Sequence, residues 1–139
     1  MATVIRPQIS ERNKYYIDKH RYYELKHFCL QYKSWKKAYD DACDLYLTST
    51  IFDKLPTSYK PSDLTAKYAI RKAQYAEKMK IVEDAAKEAD DYLWEYILKA
   101  VTEELSYTYL KTKLSIPCGR DMYYDRYRKF FWILSNSRK

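Results

Sequence analysis

Glycine is almost missing from this chain of 139 residues, which has a single glycine, Gly119, and only four prolines. Hairpins need turn residues at short intervals, so this composition argues against an all-β fold. The single glycine also excludes glycine-rich phosphate-binding loops, because several positions in such loops have no room for a Cβ atom. No other motif indicates an enzyme or a cofactor, so we expect neither catalytic activity nor a bound cofactor.

Long apolar segments are missing too. The longest apolar run, Phe130 to Leu134, is far shorter than the ~20 residues that a membrane-spanning helix requires. The first ten residues lack the apolar stretch and cleavage site of a secretory signal, so we expect a cytoplasmic protein without a membrane partner. The three cysteines, Cys29, Cys43 and Cys118, are odd in number and widely spaced, which predicts reduced thiols rather than a disulfide framework.

Metal ligands are sparse as well. The two histidines, His20 and His27, are seven residues apart, whereas a zinc site needs four ligands at close and recognisable spacing. We therefore predict no metal site.

Aromatic and other apolar residues are abundant, with 17 tyrosines and 47% hydrophobic residues, so the chain should fold. Their spacing predicts an all-α fold. Asp18 is suited to cap a first helix, in which Tyr22, Leu25, Cys29 and Tyr32 form one stripe. Ser34 is suited to cap a second helix, and we expect the two helices to form an antiparallel hairpin within a first region, 1–61.

The second region, 62–105, has the pattern of a long central helix. Residues 48–61 contain two prolines and should form a connection, after which Ser62 or Asp63 can cap the helix. The helix contains neither proline nor glycine. Two endings remain open: the helix continues to Lys87, or it breaks near Asp90 and Asp91, which can cap a following acidic segment.

Charge is distributed unevenly along the chain. The net charge is +7, and residues 106–139 account for +6 of it, with eight basic residues against two acidic ones. The preceding stretch, 83–104, has the opposite balance, with eight acidic residues against two basic ones. A positive terminal region suits binding to a polyanion, because neutralising phosphates releases condensed counterions.

The third region, 106–139, is predicted to be a basic helix-turn-helix. Ser106 can cap a short helix that ends near Leu114, and a second helix follows over 118–134. Pro117 suits the first turn of that second helix, and Gly119 would permit close packing of the two helices.

At 100° per residue, the second helix should have an apolar face and a basic one. Its predicted inward face consists of Tyr123, Tyr127, Phe130, Phe131 and Leu134. Its predicted outward face consists of Asp121, Tyr124, Asp125, Arg128 and Lys129, with Arg120 and Arg126 at the borders. An alternative left open is that the two aspartates pair with Arg128 and Lys129 along a solvated helix.

Several segments resemble a known family. Leu114 to Arg120, followed by Tyr123 to Phe131, resembles the terminal helix-turn-helix of phage and prophage late-gene transcription regulators of the RinA and ArpU type. Ser106 and Tyr107 are similar to the start of the promoter-recognising region of bacterial sigma factors. Upstream, Leu25 to Trp35 and Ser62 to Arg71 resemble the amino-terminal part of related phage proteins. The resemblance implies a sequence-specific DNA-binding activator in a bacterial host cell, which also contacts RNA polymerase.

These observations lead to a first hypothesis of a phage or prophage transcription regulator that places helix 118–134 in the major groove of double-stranded DNA. The expected base contacts are Arg120, Tyr124 and Arg128. The expected phosphate contacts are Ser106, Lys111, Lys113, Arg126 and Lys129. The sequence does not determine whether the protein forms a homodimer.

A second hypothesis is a small helical interaction module, such as a phage-encoded inhibitor or adaptor. Its acidic and aromatic residues would bind a host protein, since Tyr and Trp are enriched in interface cores. A DNA-packaging subunit of the terminase type is a third and weaker alternative.

Overall fold

A computed structural model describes residues 13–53 and 62–138, with side chains described for 13–44 and 66–138. The described residues form helices and no strand, which confirms the predicted all-α class. The helices are α1 (Lys19–Leu30), α2 (Tyr32–Asp53), α3 (Ser62–Ala89), α4 (Trp94–Glu103), α5 (Tyr107–Lys113) and α6 (Arg120–Ser137).

Two of the predicted helix caps are present. Asp18 accepts a hydrogen bond from the His20 backbone N–H at 3.0 Å, and Ser106 Oγ accepts one from the Tyr109 N–H at 3.2 Å. Each side chain satisfies an N–H group that has no acceptor within its own helix.

The predicted cap at Ser34 is wrong. Gln31 is the single residue between α1 and α2, and it keeps right-handed backbone angles while its N–H bonds to the Phe28 carbonyl. Because the chain enters α2 at Tyr32, Ser34 lies within the first turn of that helix.

Helix α2 extends into the predicted connection, and the structure defines where the central helix α3 ends. Helix α2 continues to Asp53, so the first part of the predicted connection is helical, and residues 54–61 lie outside the described residues. Helix α3 already includes Ser62, one of the two residues predicted to cap it, and ends at Ala89. Asp90 Oδ1 then accepts hydrogen bonds from the N–H groups of Tyr92 and Leu93, both at 2.8 Å. The open question about Asp90 is thereby answered: it ends α3 and organises the turn into α4.

The described chain divides into two compact units, which do not follow the predicted boundaries at residues 61 and 105. Residues up to Gln31 and from Ile81 onward form one unit, and Tyr32–Lys80 form the other. Helices α1 and α2 therefore belong to different units, and their antiparallel pairing stays a prediction. Within the second unit, the Lys72 amine lies 5.6 Å from the centre of the Tyr39 ring.

The core of the first unit forms where α1, α4 and α6 contact one another. All five residues of the predicted inward face of α6 are buried, which confirms that prediction. The core also includes Leu25 from α1, Ile97 from α4 and Leu110 from α5, each with no exposed surface. Residues 106–138 thus share one core with α1 and α4 instead of forming a module of their own.

Among the described residues, no helix combines the length and the apolar character needed to cross a membrane. In the same ranges, His, Cys, Asp and Glu side chains form no group of three or more that could hold a metal ion. His20 and His27 are both exposed.

The core of the first unit contains a hydrogen bond between two tyrosines. The Oη atoms of Tyr22 and Tyr127 lie 2.8 Å apart, and both side chains are buried. Burial and the neighbouring Tyr22 raise the pKa of Tyr127, so its hydroxyl stays protonated. The rings of Tyr22 and Tyr127 also meet Phe131, at 5.0 and 4.9 Å between centroids.

We expect Tyr22→Phe to destabilise the protein by about 1–3 kcal/mol, because it leaves the Tyr127 hydroxyl buried without a partner. Tyr22→Phe combined with Tyr127→Phe should be less destabilised than Tyr22→Phe alone, since both polar groups are then removed. Urea unfolding followed by circular dichroism measures the free energies of both single variants and of the double variant. Strict additivity of the two single changes would show that the hydroxyls are not coupled.

Candidate nucleic-acid interface

Helices α5 and α6 are joined by a connection of six residues, 114–119, which is held by the end of α5. The N–H groups of Leu114 and Ile116 both bond to the Leu110 carbonyl, at 3.2 and 3.1 Å. Ile116 is fully buried, while Ser115 takes a left-handed backbone with a φ of 53°. The sequence therefore produces a helix, a fixed turn and a second helix.

Two details of the predicted turn are wrong. Helix α6 begins at Arg120 and ends at Ser137, not at 118 and 134, so Pro117 lies in the connection rather than in the first helical turn. Gly119 is the N-cap residue, and a Cβ atom added there would meet no atom within 4 Å. Close packing of the helices therefore does not require glycine at this position.

Tyr107 fastens the connection to α5. Its Oη donates a hydrogen bond to the Cys118 carbonyl at 2.7 Å, and the Arg120 guanidinium lies 5.6 Å from the centre of its ring. Burial and the charge of Asp90 raise the pKa of the Cys118 thiol, with Lys111 acting in the opposite direction. The thiol therefore stays protonated, and Arg120 is held beside the turn at the beginning of α6.

Three basic side chains around this turn are exposed: Lys111, Lys113 and Arg120. Further along α6, Arg128 and Lys129 are partly buried, and the Nε of Arg128 is buried without a hydrogen-bond partner. None of the five forms an ion pair with a carboxylate in the part of the chain that the structure describes. Of the five, Lys111, Lys113 and Arg120 therefore combine an exposed side chain with the lack of a carboxylate partner among the described residues.

Tyr124, an expected base contact, is not on an outward face. It is 6% exposed, and its ring lies 5.0 Å from Tyr123 and 6.3 Å from Tyr107, measured between centroids. The sequence pattern predicted a narrow apolar stripe, whereas α6 contacts both α1 and α4 and also meets Tyr107. Because Tyr107 and the neighbouring helices cover more of α6 than a narrow stripe, Tyr124 is buried.

Arg126, an expected phosphate contact, is bound within the chain. Its Nε lies 3.0 Å from Asp90 Oδ2, and its Nη1 lies 2.9 Å from Asp125 Oδ2. Two carboxylates therefore neutralise this guanidinium and would repel an approaching phosphate. Ser106, another expected phosphate contact, is partly buried and uses its Oγ as the acceptor that caps α5.

Asp90 is the residue whose importance the sequence pattern did not reveal. Its position predicted a helix cap, but its partner Arg126 is 36 residues away in the sequence. Although burial acts to raise its pKa, hydrogen bonds from Leu93, Tyr92 and Arg126 lower the pKa of Asp90 overall. The carboxylate therefore stays charged and joins the turn between α3 and α4 to α6.

The end of α6 is held by a second arginine, Arg138. Its guanidinium lies 4.0 Å from the centre of the Phe28 ring and pairs with Glu24 Oε1 at 3.0 Å. Arg21 of α1 donates hydrogen bonds to the carbonyl oxygens of Arg138 and Ser135. Two of the predicted cationic residues of the terminal region, Arg126 and Arg138, thus stabilise the fold.

The outward face of α6 carries charges of both signs. Asp121, Met122 and Asp125 occupy its first two turns, and Lys129 and Trp132 follow. The predicted basic and aromatic outward face is therefore replaced by a mixed one, and the exposed basic residues concentrate around the connection.

Neither family models nor curated proteins nor solved structures give a match to this chain.

We expect Asp90→Asn to destabilise the protein by about 1–3 kcal/mol at neutral pH, because the charged partner of Arg126 is lost. A native pKa below the unfolded value of about 3.9 stabilises the fold above that pH, and this stabilisation disappears as pH falls through the native pKa. The difference between wild type and Asp90→Asn should therefore shrink in acid. Unfolding in urea at several pH values measures it.

Asp91→Asn is the matched control, since Asp91 is adjacent but exposed and should change stability by less than about 0.5 kcal/mol. Equal effects of the two substitutions would contradict the structural role of Asp90.

Proposed function

We propose that this protein is a DNA-binding transcription regulator of phage or prophage origin that contacts duplex DNA through α5, the connection 114–119 and the beginning of α6. The observation that carries the proposal is the group of exposed cations Lys111, Lys113 and Arg120, which no described carboxylate neutralises. They lie on two successive helices whose connection is fixed by hydrogen bonds.

The contacts proposed from the structure differ from those expected from the sequence. Tyr124 and Arg126 are left out, because one is buried and the other is neutralised. Lys111 and Lys113 are suited to phosphates, and Arg120 is suited to a bidentate contact with guanine. Arg128 and Lys129, further along α6, lie where the helix would be leaving the groove.

The acidic residues at the start of α6 suit base contact better than phosphate contact. Asp121 is exposed one residue after Arg120, and a carboxylate can accept a hydrogen bond from the amino group of cytosine. If the first turn of α6 entered the major groove, Arg120 and Asp121 would lie near base edges. Lys111 and Lys113 of α5 would then lie beside the DNA backbone. RNA polymerase is proposed as an additional partner on the basis of the family resemblance alone.

Replacing Lys111, Lys113 and Arg120 together with Ala should weaken binding to duplex DNA and, through the two lysine contacts to phosphates, reduce the slope of log K against log salt by about 1.8. This value assumes that each lost phosphate contact contributes about 0.9 to the slope. Fluorescence anisotropy with DNA enriched from a random duplex pool, measured across a salt series, gives both quantities.

The matched control replaces three exposed lysines of the other compact unit, Lys36, Lys37 and Lys67, with Ala. It removes the same net charge and should leave binding nearly unchanged. If wild type shows no binding at low salt, or if both triple variants lose affinity equally, the proposed interface is wrong.

A second candidate function is a helical module that binds a host protein. The observation that favours it is Tyr92, which is 78% exposed in the turn organised by Asp90. Its neighbour Asp91 and Glu95 of α4 are also exposed, so a basic protein surface would fit there. Tyrosine surrounded by complementary charge is a common anchor of interfaces.

The two candidates are separated by point variants, because deleting residues 106–139 would remove α6 from the core. With purified RNA polymerase as the probe, Tyr92→Ala combined with Glu95→Lys should weaken binding at least about tenfold if the second candidate is correct. The Lys111, Lys113 and Arg120 triple variant should then bind polymerase normally. Unchanged binding in the Tyr92 and Glu95 variant would contradict a role for this turn.

A further inference from the structure

The outward face of α6 contains a stripe with the spacing of a helix-pairing seam. Met122, Asp125, Lys129, Trp132 and Asn136 follow one another at intervals of three and four residues. Positions at this spacing stay on one side of a helix and face a partner helix along its length. We call these five residues the α6 stripe.

Apolar and charged side chains of the α6 stripe keep exposed surface. Met122 is 47% exposed and Trp132 is 38% exposed, although the Tyr15 ring lies 5.7 Å from the indole. Lys129 makes no ion pair with any described carboxylate, even though Asp125 lies one helical turn before it. The Asp125 side chain is 41% exposed and contacts Arg126 through one oxygen. Met122, Trp132 and Lys129 therefore lie on the same outward side of α6.

The order of these residues makes the stripe complementary to itself. Met122 and Trp132 lie equally far from position 127 in opposite directions, and so do Asp125 and Lys129. If two copies of α6 crossed in antiparallel orientation at that level, Met122 would meet the second copy's Trp132. Asp125 would meet the second copy's Lys129, and the two-fold axis would repeat both pairs. The seam would extend about 15 Å along each helix, from Met122 to Trp132.

We propose that the α6 stripe is the docking surface for a second copy of this chain, with the two α6 helices antiparallel. Parallel pairing would place Asp125 against Asp125 and Lys129 against Lys129, so charge selects the antiparallel orientation. The backbone of a nucleic acid fits this stripe poorly, because Asp125 and the nearby Asp121 would repel phosphates.

This inference does not depend on the proposed function. Lys111 and Lys113 lie on α5, and Arg120 precedes the stripe, so self-association and DNA binding can be measured separately. A two-fold dimer would favour a palindromic DNA site, since the symmetry of the site mirrors that of the protein.

Charge reversal tests the proposed pairing. Asp125→Lys alone and Lys129→Asp alone should each weaken dimerisation at least about tenfold, because each places like charges opposite one another at both symmetric positions. Mixing the two single variants should restore dimers, since every cross-pair between the two chains is then of opposite charge. The double variant, with both changes in one chain, should also dimerise. Sedimentation equilibrium without DNA measures these four samples and the wild type.

The double variant also controls for the loss of the contact between Asp125 and Arg126, because it lacks that contact and should still dimerise. Glu95→Lys, an exposed change of the same charge outside the stripe, should leave dimerisation unchanged. Circular dichroism checks that each variant is folded.

A wild-type chain that remains monomeric throughout the micromolar range would overturn the proposal. Dimers that persist in both single variants would place the interface elsewhere, and failure of the folded single variants to associate when mixed would refute the antiparallel register. Loss of affinity for duplex DNA in the stripe variants, without any wild-type dimer, would assign this face to nucleic acid instead.

Discussion

The structure of the first compact unit depends on the burial of one helix, α6. Seven of its side chains are buried, and four of these, Tyr123, Phe130, Phe131 and Leu134, are at most 1% exposed. Burying that much apolar surface favours folding by an amount that surface charges cannot match, because each exposed charge contributes little to stability. The rotation of α6 about its axis is therefore set by its aromatic residues, and its charged residues are exposed only where that rotation leaves room.

The same constraint explains why much of the basic excess in the terminal region does not face a ligand. Near the middle of α6, Arg126 is held by Asp90 and Asp125, and beyond its end Arg138 lies on Phe28 and pairs with Glu24. Each arginine connects α6 to a segment far away in the sequence. The exposed cations Lys111, Lys113 and Arg120 flank the connection, so the surface proposed for a polyanion is confined to that end of the helix pair.

Local features of the sequence predicted the all-α class and two of the helix caps. Asp18 and Ser106 act as caps through bonds to residues two or three positions later, and the α6 core face follows from the helical period alone. Tyr124 and Arg126 could not be placed in this way, because their surroundings come from Tyr107 and Asp90, which reach α6 only through the tertiary fold. The division into two units could not be predicted from local features either, because residues 106–138 share a core with α1, which is far away in the sequence.

The acidic residues of α6 connect the two proposals physically. In a monomer, Asp121 is exposed directly after Arg120 and Asp125 is partly exposed one helical turn later, and both oppose the approach of phosphates. In an antiparallel dimer, the Lys129 of the second copy would neutralise Asp125, and the repulsion near the connection would decrease. A ligand that favours one of two states shifts the equilibrium toward it, so DNA contacted by both copies would also stabilise the pairing of α6 with α6. The mixed charge of this face does not suit a monomer that contacts DNA along the whole of α6. It is compatible with a dimer that contacts DNA only at the beginning of each α6.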